Sequence, residues 1–370
     1  MSEVLEANLI QHVQRLAGDI GERNVYHPHA LDAAADYIES VLAGNGHAVS
    51  RQVYVARGVA CANLEVALPG RHWPGESIVI GAHYDTVLGS PGADDNASAV
   101  AALLEIARLL RDEAAGRTLR LVAFVNEEPP FFFWGEMGSQ VYARAARSRR
   151  DKIRLMISLE MLGYYRDEPG SQAYPPLFRH FHPDRGSFIA FVSNWRSRRV
   201  LRRAERAFRA HSEFPLETTA TFGWIPGVAW SDHLSFWRAG YPAFMCTDTA
   251  FFRNPHYHAA HDTPQTLDYR RLAQLTDIHL SPFLSIGELS DAVGMANEFR
   301  PHIALVTGDL ITSRSDPLDD CLRELAKVAE DHGVVLAMQN HGPDVVNRYQ
   351  DVLSLIRDVG SPSFKACMDI

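Results

Sequence analysis

Short, strongly apolar runs that stop on clusters of acids and imidazoles constrain this chain more than any other feature. Residues 77–81 (SIVIG) read as a strand buried on both faces, and they end just before His83, Tyr84 and Asp85. The run 118–125 closes on Asn126, Glu127 and Glu128, and the run 153–159 closes on Glu160. Between them the apolar period becomes helical, over 98–110 and again over 138–146. Such alternation predicts an α/β protein, a mixed or parallel sheet with helices on both faces. Two amphipathic helices precede it, one carrying Leu9, Val13 and Leu16 and one over 30–42. Extended runs follow over 48–56 and 62–68. Further strands are expected at 187–192 and 243–247, with a basic helix over 196–211 between them.

Composition narrows the function classes. In 370 residues, 46% are hydrophobic and 22% charged, enough to bury a large core and to exclude disorder as the main state. A formal charge of -9 argues against nucleic acid as a partner. No run is apolar and long enough to span a membrane, and the first residues lack the basic and apolar stretches of a signal peptide, so a soluble, cytoplasmic protein is expected. Cys61, Cys246, Cys321 and Cys367 are far apart, which suggests buried thiols rather than a disulfide framework or a thiolate zinc site.

The polar clusters fall where strands end and loops begin, which is where α/β sheets place their chemistry. Beside those already named stand Asp94-Asp95-Asn96 before a helix, and His256, His258, His261 and Asp262 in a loop after Asp248. Many carboxylates and imidazoles on one sheet edge would repel and lose solvation at a cost of several kcal/mol each. Divalent cations remove that cost, and imidazole with carboxylate suits zinc, which in catalytic sites keeps a position for water.

The order of motifs over residues 9–268 resembles the zinc-dependent exopeptidases of the bacterial aminopeptidase type, whose fold is shared by glutaminyl cyclases. The resemblance rests on GAHYDTV (81–87), GADDNAS (92–98), NEE (126–128), GSQVYA (138–143), SLEMLGYY (158–165), SDHLSF (231–236) and YHAAHDT (257–263). It implies a three-layer α/β/α domain with a mixed, mostly parallel central sheet. It also implies two zinc ions per chain, His83 binding one, His258 the other, and Asp95 bridging them. Glu128 would complete the His258 zinc, and Glu160 the His83 zinc, at a position where many relatives carry aspartate. Glu127 is then the general base for a zinc-activated water, and Asp85 the acceptor that fixes the His83 imidazole. Peptides with a free N-terminus are the implied substrates. Asp232 and His233 are candidates for the pocket or for a helix N-cap. Phe131 and Trp134, with the aromatics between them, are candidates for a pocket wall or for packing.

From Gln274 the text changes. Residues 274–330 resemble the opening of a metallophosphoesterase, with Asp277, His279 and Asp309 as its metal ligands, and 331–370 resemble part of a sugar-phosphate isomerase or epimerase barrel ending near Asp369. Neither piece is complete, since so few residues cannot close an eight-stranded barrel. The expected division is therefore a peptidase-like domain over 1–273 and a composite α/β appendage over 274–370. Glutaminyl cyclization on the same fold, and phosphoester hydrolysis by the tail, are the competing functions.

Overall fold

A computed structural model describes residues 2–112, 115–133, 135–175, 178–278, 303–306, 335–339 and 364–367. The chain divides into two compact units, Met1–Leu284 and Ser285–Ile370. In the first, α1 (Ser2–Val13) buries Leu5, Leu9 and Val13 at helical spacing. Helix α2 (Pro28–Gly44) buries Leu31, Ala34, Ala35, Ile38 and Leu42, and its proline sits in the first turn, where a missing N–H costs nothing. Strands β1 (Val49–Ala56) and β2 (Val59–Leu68) form a hairpin, followed by β3 (Trp73–His83). Then come α3 (Ala99–Leu109), β4 (Arg117–Phe124), α4 (Gly138–Arg149) and β5 (Lys152–Glu160). The unit continues with β6 (Ile189–Asn194), α5 (Arg198–His211), β7 (Leu216–Thr221), α6 (His233–Arg238), β8 (Ala243–Thr247) and α7 (Tyr269–Ile278).

The eight strands lie in the order β1-β2-β4-β3-β5-β8-β6-β7. The central run β4-β3-β5-β8 is parallel, β6 runs antiparallel to β8, and β7 lies parallel to β6 at the edge. Alternation along the strands sorts the core into two layers. Ile78, Ile80, Leu121, Ile157 and Phe244 face the larger core with α1 and α3. Val79, Val122, Met156 and Ala243 face the smaller one, with Tyr142 of α4 and Phe236 of α6. The expected three-layer α/β/α domain with a mixed, mostly parallel sheet is what the chain forms.

In the first unit three elements were not foreseen, each for a physical reason. Strand β7 (LETTAT) is a half-buried edge strand with no clean alternation, and α6 is six residues long, too short to show a period. Helix α7 runs through Gln274, where the sequence reading ends its first domain, and packs on α1 and α3. In the second unit β9 (Ile303–Val306), β10 (Val335–Gln339) and β11 (Phe364–Cys367) form a parallel sheet in the order β11-β10-β9. The periodicity of the tail predicts strands at 302–306 and 334–338, which β9 and β10 match; the helices it predicts over 280–296, 318–331 and 349–358, with His279, Asp309 and Asp369, lie outside the described residues. No helix among the described residues is long and apolar enough to cross a membrane.

Candidate active site

The carboxyl ends of β3, β4 and β5 lie side by side in the sheet and deliver His83, Glu127, Glu128 and Glu160 to one edge. Two loops complete the group, one with Asp95 before α3 and one with His258 before α7. His83 Nε2 lies 3.3 Å from Asp95 Oδ1 and 3.5 Å from Glu160 Oε2. On the other side of the same aspartate, His258 Nε2 lies 3.3 Å from Asp95 Oδ2 and 3.2 Å from Glu128 Oε2. Two donor groups result, His83-Asp95-Glu160 and Asp95-Glu128-His258, sharing one carboxylate.

These spacings test the fit of a cation. Ligand bonds of about 2.0–2.2 Å at tetrahedral angles imply donor–donor edges of about 3.3–3.6 Å, and three of the four distances fall in that range with the fourth just below it. Glu128 Oε1 is buried with no hydrogen-bond partner, a cost that a cation would remove. The electrostatics agree in sign. Burial disfavours a charged His83, yet Glu160, Asp85 and Asp95 outweigh it and hold its pKa well above 6.5. Burial raises Glu128 to about 8 and Glu127 well above the carboxylate range. For Asp95, hydrogen bonds from His258 and His83 overcome burial and pull it down.

Asp85 stands beside the His83 imidazole. The His83 Nδ1 has the backbone carbonyl of Asp85 at 3.2 Å and its carboxylate Oδ1 at 3.6 Å. The Asp85 carboxylate also accepts hydrogen bonds from the backbone N–H groups of Glu127, at 3.0 Å, and Glu128, at 3.1 Å. It fixes the loop that carries both glutamates. Asp262 does the same for the facing loop, accepting from Asp94 N and Asp95 N at 2.9 and 3.1 Å. Asn96 ties Leu159 O and Met161 N around Glu160, and Ser231 Oγ donates to Glu160 Oε2 at 2.7 Å. Gly138 lets α4 start against the β4 end, since a Cβ there would lie 2.4 Å from Val125 O.

A cavity opens beside Glu160 on the sheet face that holds α4 and α6. Asp232 and His233 are fully buried and do not line it. Asp232 precedes α6 without a side-chain cap, and burial raises its carboxyl to about 7. His233 Nε2 lies 2.9 Å from the carbonyl of Val228, which does line the cavity, and burial lowers this imidazole to about 4. Phe131 is buried in the larger core, away from the cavity, because its loop turns inward there. Trp134 lies outside the described residues.

Arg23 was missed by sequence reasoning. Its buried guanidinium donates to five backbone carbonyls, those of Leu16, Gly21, Tyr84, Pro91 and Gly92, at 2.6–3.2 Å. It pins the N-terminal segment to the loops on either side of Asp85 and Asp95. Acceptors scattered along a backbone leave no motif, so nothing in the sequence marks it.

A buried imidazole–carboxylate centre at the strand ends of a three-layer α/β/α domain defines a metal-site class of hydrolase-like folds, and the comparisons name it. The model of peptidase family M28 matches residues 63–281, and the chain belongs to that family. A xylose isomerase-like TIM barrel model matches 289–370, which includes part of the stretch read as phosphoesterase-like. The uncharacterized protein YfbL of Escherichia coli is 41% identical over 274 residues, covering 72% of this chain and 83% of that protein. A probable leucine aminopeptidase of Trichophyton verrucosum is 25% identical over 243 residues, but this chain spans only 58% of its length. Among solved structures, LapB from Legionella pneumophila (TM-score 0.60, 20% identity, 76% of this chain and 72% of that one) shares the fold. So does a glutaminyl cyclase from Fimbriiglobus ruber (TM-score 0.59, 18% identity, 76% and 95%).

Proposed function

We propose that this chain is a two-metal aminopeptidase that removes N-terminal residues from peptides, with the activity residing in the first unit. The observation that carries the reading is the Asp95 carboxylate, its Oδ1 3.3 Å from His83 Nε2 and its Oδ2 3.3 Å from His258 Nε2. Zinc is the cation the donor set suits, held by His83, Asp95 and Glu160 at one position and by Asp95, Glu128 and His258 at the other. Bound there, zinc would polarise a peptide carbonyl and acidify a water molecule.

The protein's own groups do the rest. Glu127 is the base that would take the water's proton and return it to the departing amine, since it neighbours Glu128 on the same loop yet belongs to neither donor group. Asp85 sets the position of Glu127 through the backbone N–H it accepts. The free α-amine of the substrate faces the centre at the Glu160 end of the cavity, and its side chain enters the cavity.

Purified full-length protein is tested on aminoacyl p-nitroanilides with a chelator and with zinc add-back. Metal-dependent release of nitroaniline, with two zinc per chain by elemental analysis, is the expected result. Likeness to a glutaminyl cyclase leaves one rival on the same fold. A zinc-loaded protein that cyclizes glutaminyl peptides and leaves the anilides intact would move the assignment there.

A further inference from the structure

The cavity beside Glu160 runs well beyond the candidate centre, and the sheet register gives its floor. Glu160 pairs with Thr247, Thr247 with Ala190, and Ala190 with Glu217, so the four form one row across β5, β8, β6 and β7. Directly paired residues project on the same face of a sheet, and all four line the cavity. Met245, Val192 and Thr219 form the adjoining row and line it too. Three strand spacings of about 4.8 Å put Glu217 about 14 Å from Glu160 along this floor.

The two ends are acidic and the stretch between them is apolar, walled by Phe188, Ile225 and Val228 above Met245 and Val192. Among the described residues, no lysine or arginine lines it. At the far end His182 Nδ1 lies 2.7 Å from Glu217 Oε2. The same imidazole stacks on Tyr174 and Phe178, with interplanar angles of 25° and 11°. No described donor meets Glu217 Oε1.

A trough that begins at the candidate centre, runs over apolar residues and ends on a carboxylate fits a side chain made of an apolar stem with a cationic head. On the aminopeptidase reading, on which this inference rests, the substrate's α-amine lies at the centre, by the Glu160 end. We infer that the residue it belongs to is an N-terminal arginine or lysine, and that Glu217 selects its side-chain cation. The methylene stem lies along Met245 and Val192, as long basic side chains cover apolar surface while their heads seek charge. The head meets Glu217 at the end lined by Tyr174 and Phe178. A leucine side chain stops short of Glu217 and leaves that carboxylate with His182 alone among its described partners.

The test measures kcat/KM of the zinc-loaded full chain for arginine, lysine, leucine, methionine and tyrosine p-nitroanilides, with Glu217→Gln alongside. Arginine and lysine are expected at least tenfold above leucine, and the arginine-to-leucine ratio is expected to fall at least tenfold in the variant. A native preference for leucine, methionine or tyrosine, or a ratio unchanged in the variant, overturns the assignment. Glutamine retains an acceptor for His182, and a thermal melt checks that the variant is folded. Calorimetric titration with L-argininamide and L-leucinamide separates this inference from the peptidase reading. Tighter argininamide binding that Glu217→Gln abolishes sustains the subsite even where no anilide is cleaved, and equal binding of the two amides overturns it.

Discussion

At the scale of single residues, neighbouring glutamates carry different tasks. Glu128 faces His258 across a candidate cation position, whereas Glu127 makes no such contact. Glu127→Gln is therefore expected to retain bound zinc while kcat falls about 10²- to 10⁴-fold, checked by elemental analysis and steady-state rates on one preparation. Loss of zinc in that variant would make Glu127 a ligand. Arg23 offers a second contrast, since its side chain is fully buried and three of its five hydrogen bonds to carbonyls are buried with it. Arg23→Ala leaves several carbonyls unsatisfied at about 1–3 kcal/mol each, and the melting temperature is expected to fall by about 5–10 °C. The five donor residues were legible because each sits within a short motif at a strand end or loop. Arg23 was not, and the backbone hydrogen bonds of the Asp85 carboxylate were not, because their partners are peptide groups that any sequence supplies.

At the scale of elements, the helices over the larger core are joined by a buried polar knot. Glu105 of α3 accepts from Asn8 of α1 and Arg108 of its own helix, and lies 3.4 Å from His12, which in turn contacts Tyr37 of α2 at 2.7 Å. Burial would raise this carboxyl, but His12, Arg108 and Asn8 outweigh burial and hold it at about 2, below its usual 4.5. The unfolded chain then takes up the proton first as pH falls. Its contribution to stability is complete above about pH 4.5 and drains away towards pH 2. Glu105→Gln is expected to melt below the native protein at pH 7, with the gap narrowing as pH falls from 5 to 3; a gap that stays constant would remove the carboxylate charge from the explanation. Helices and central strands were legible from period alone, because each buries a continuous stripe or both faces. The edge strand β7 was not, since half-exposed threonines carry no alternation, and with it the row ending at Glu217 stayed hidden.

At the scale of the whole chain, the first unit holds both core layers, all five donor residues and the cavity. A chain ended after Leu284 is expected to keep its melting transition and zinc-dependent turnover. Failure of that chain to fold, read by circular dichroism, would show that the second unit supports the first. The change of character near Gln274 was legible as a break in motif order. Its exact place was not, because the amphipathic period of α7 continues smoothly across it.

The antiparallel turn of β6 against β8 has a consequence for how such a protein diversifies. With it β7 lies at the sheet margin, three strands from β5. On the proposed reading, Glu217 can therefore change without disturbing the residues at the centre, so that descendants of one ancestor could keep a shared reaction while their diets diverge.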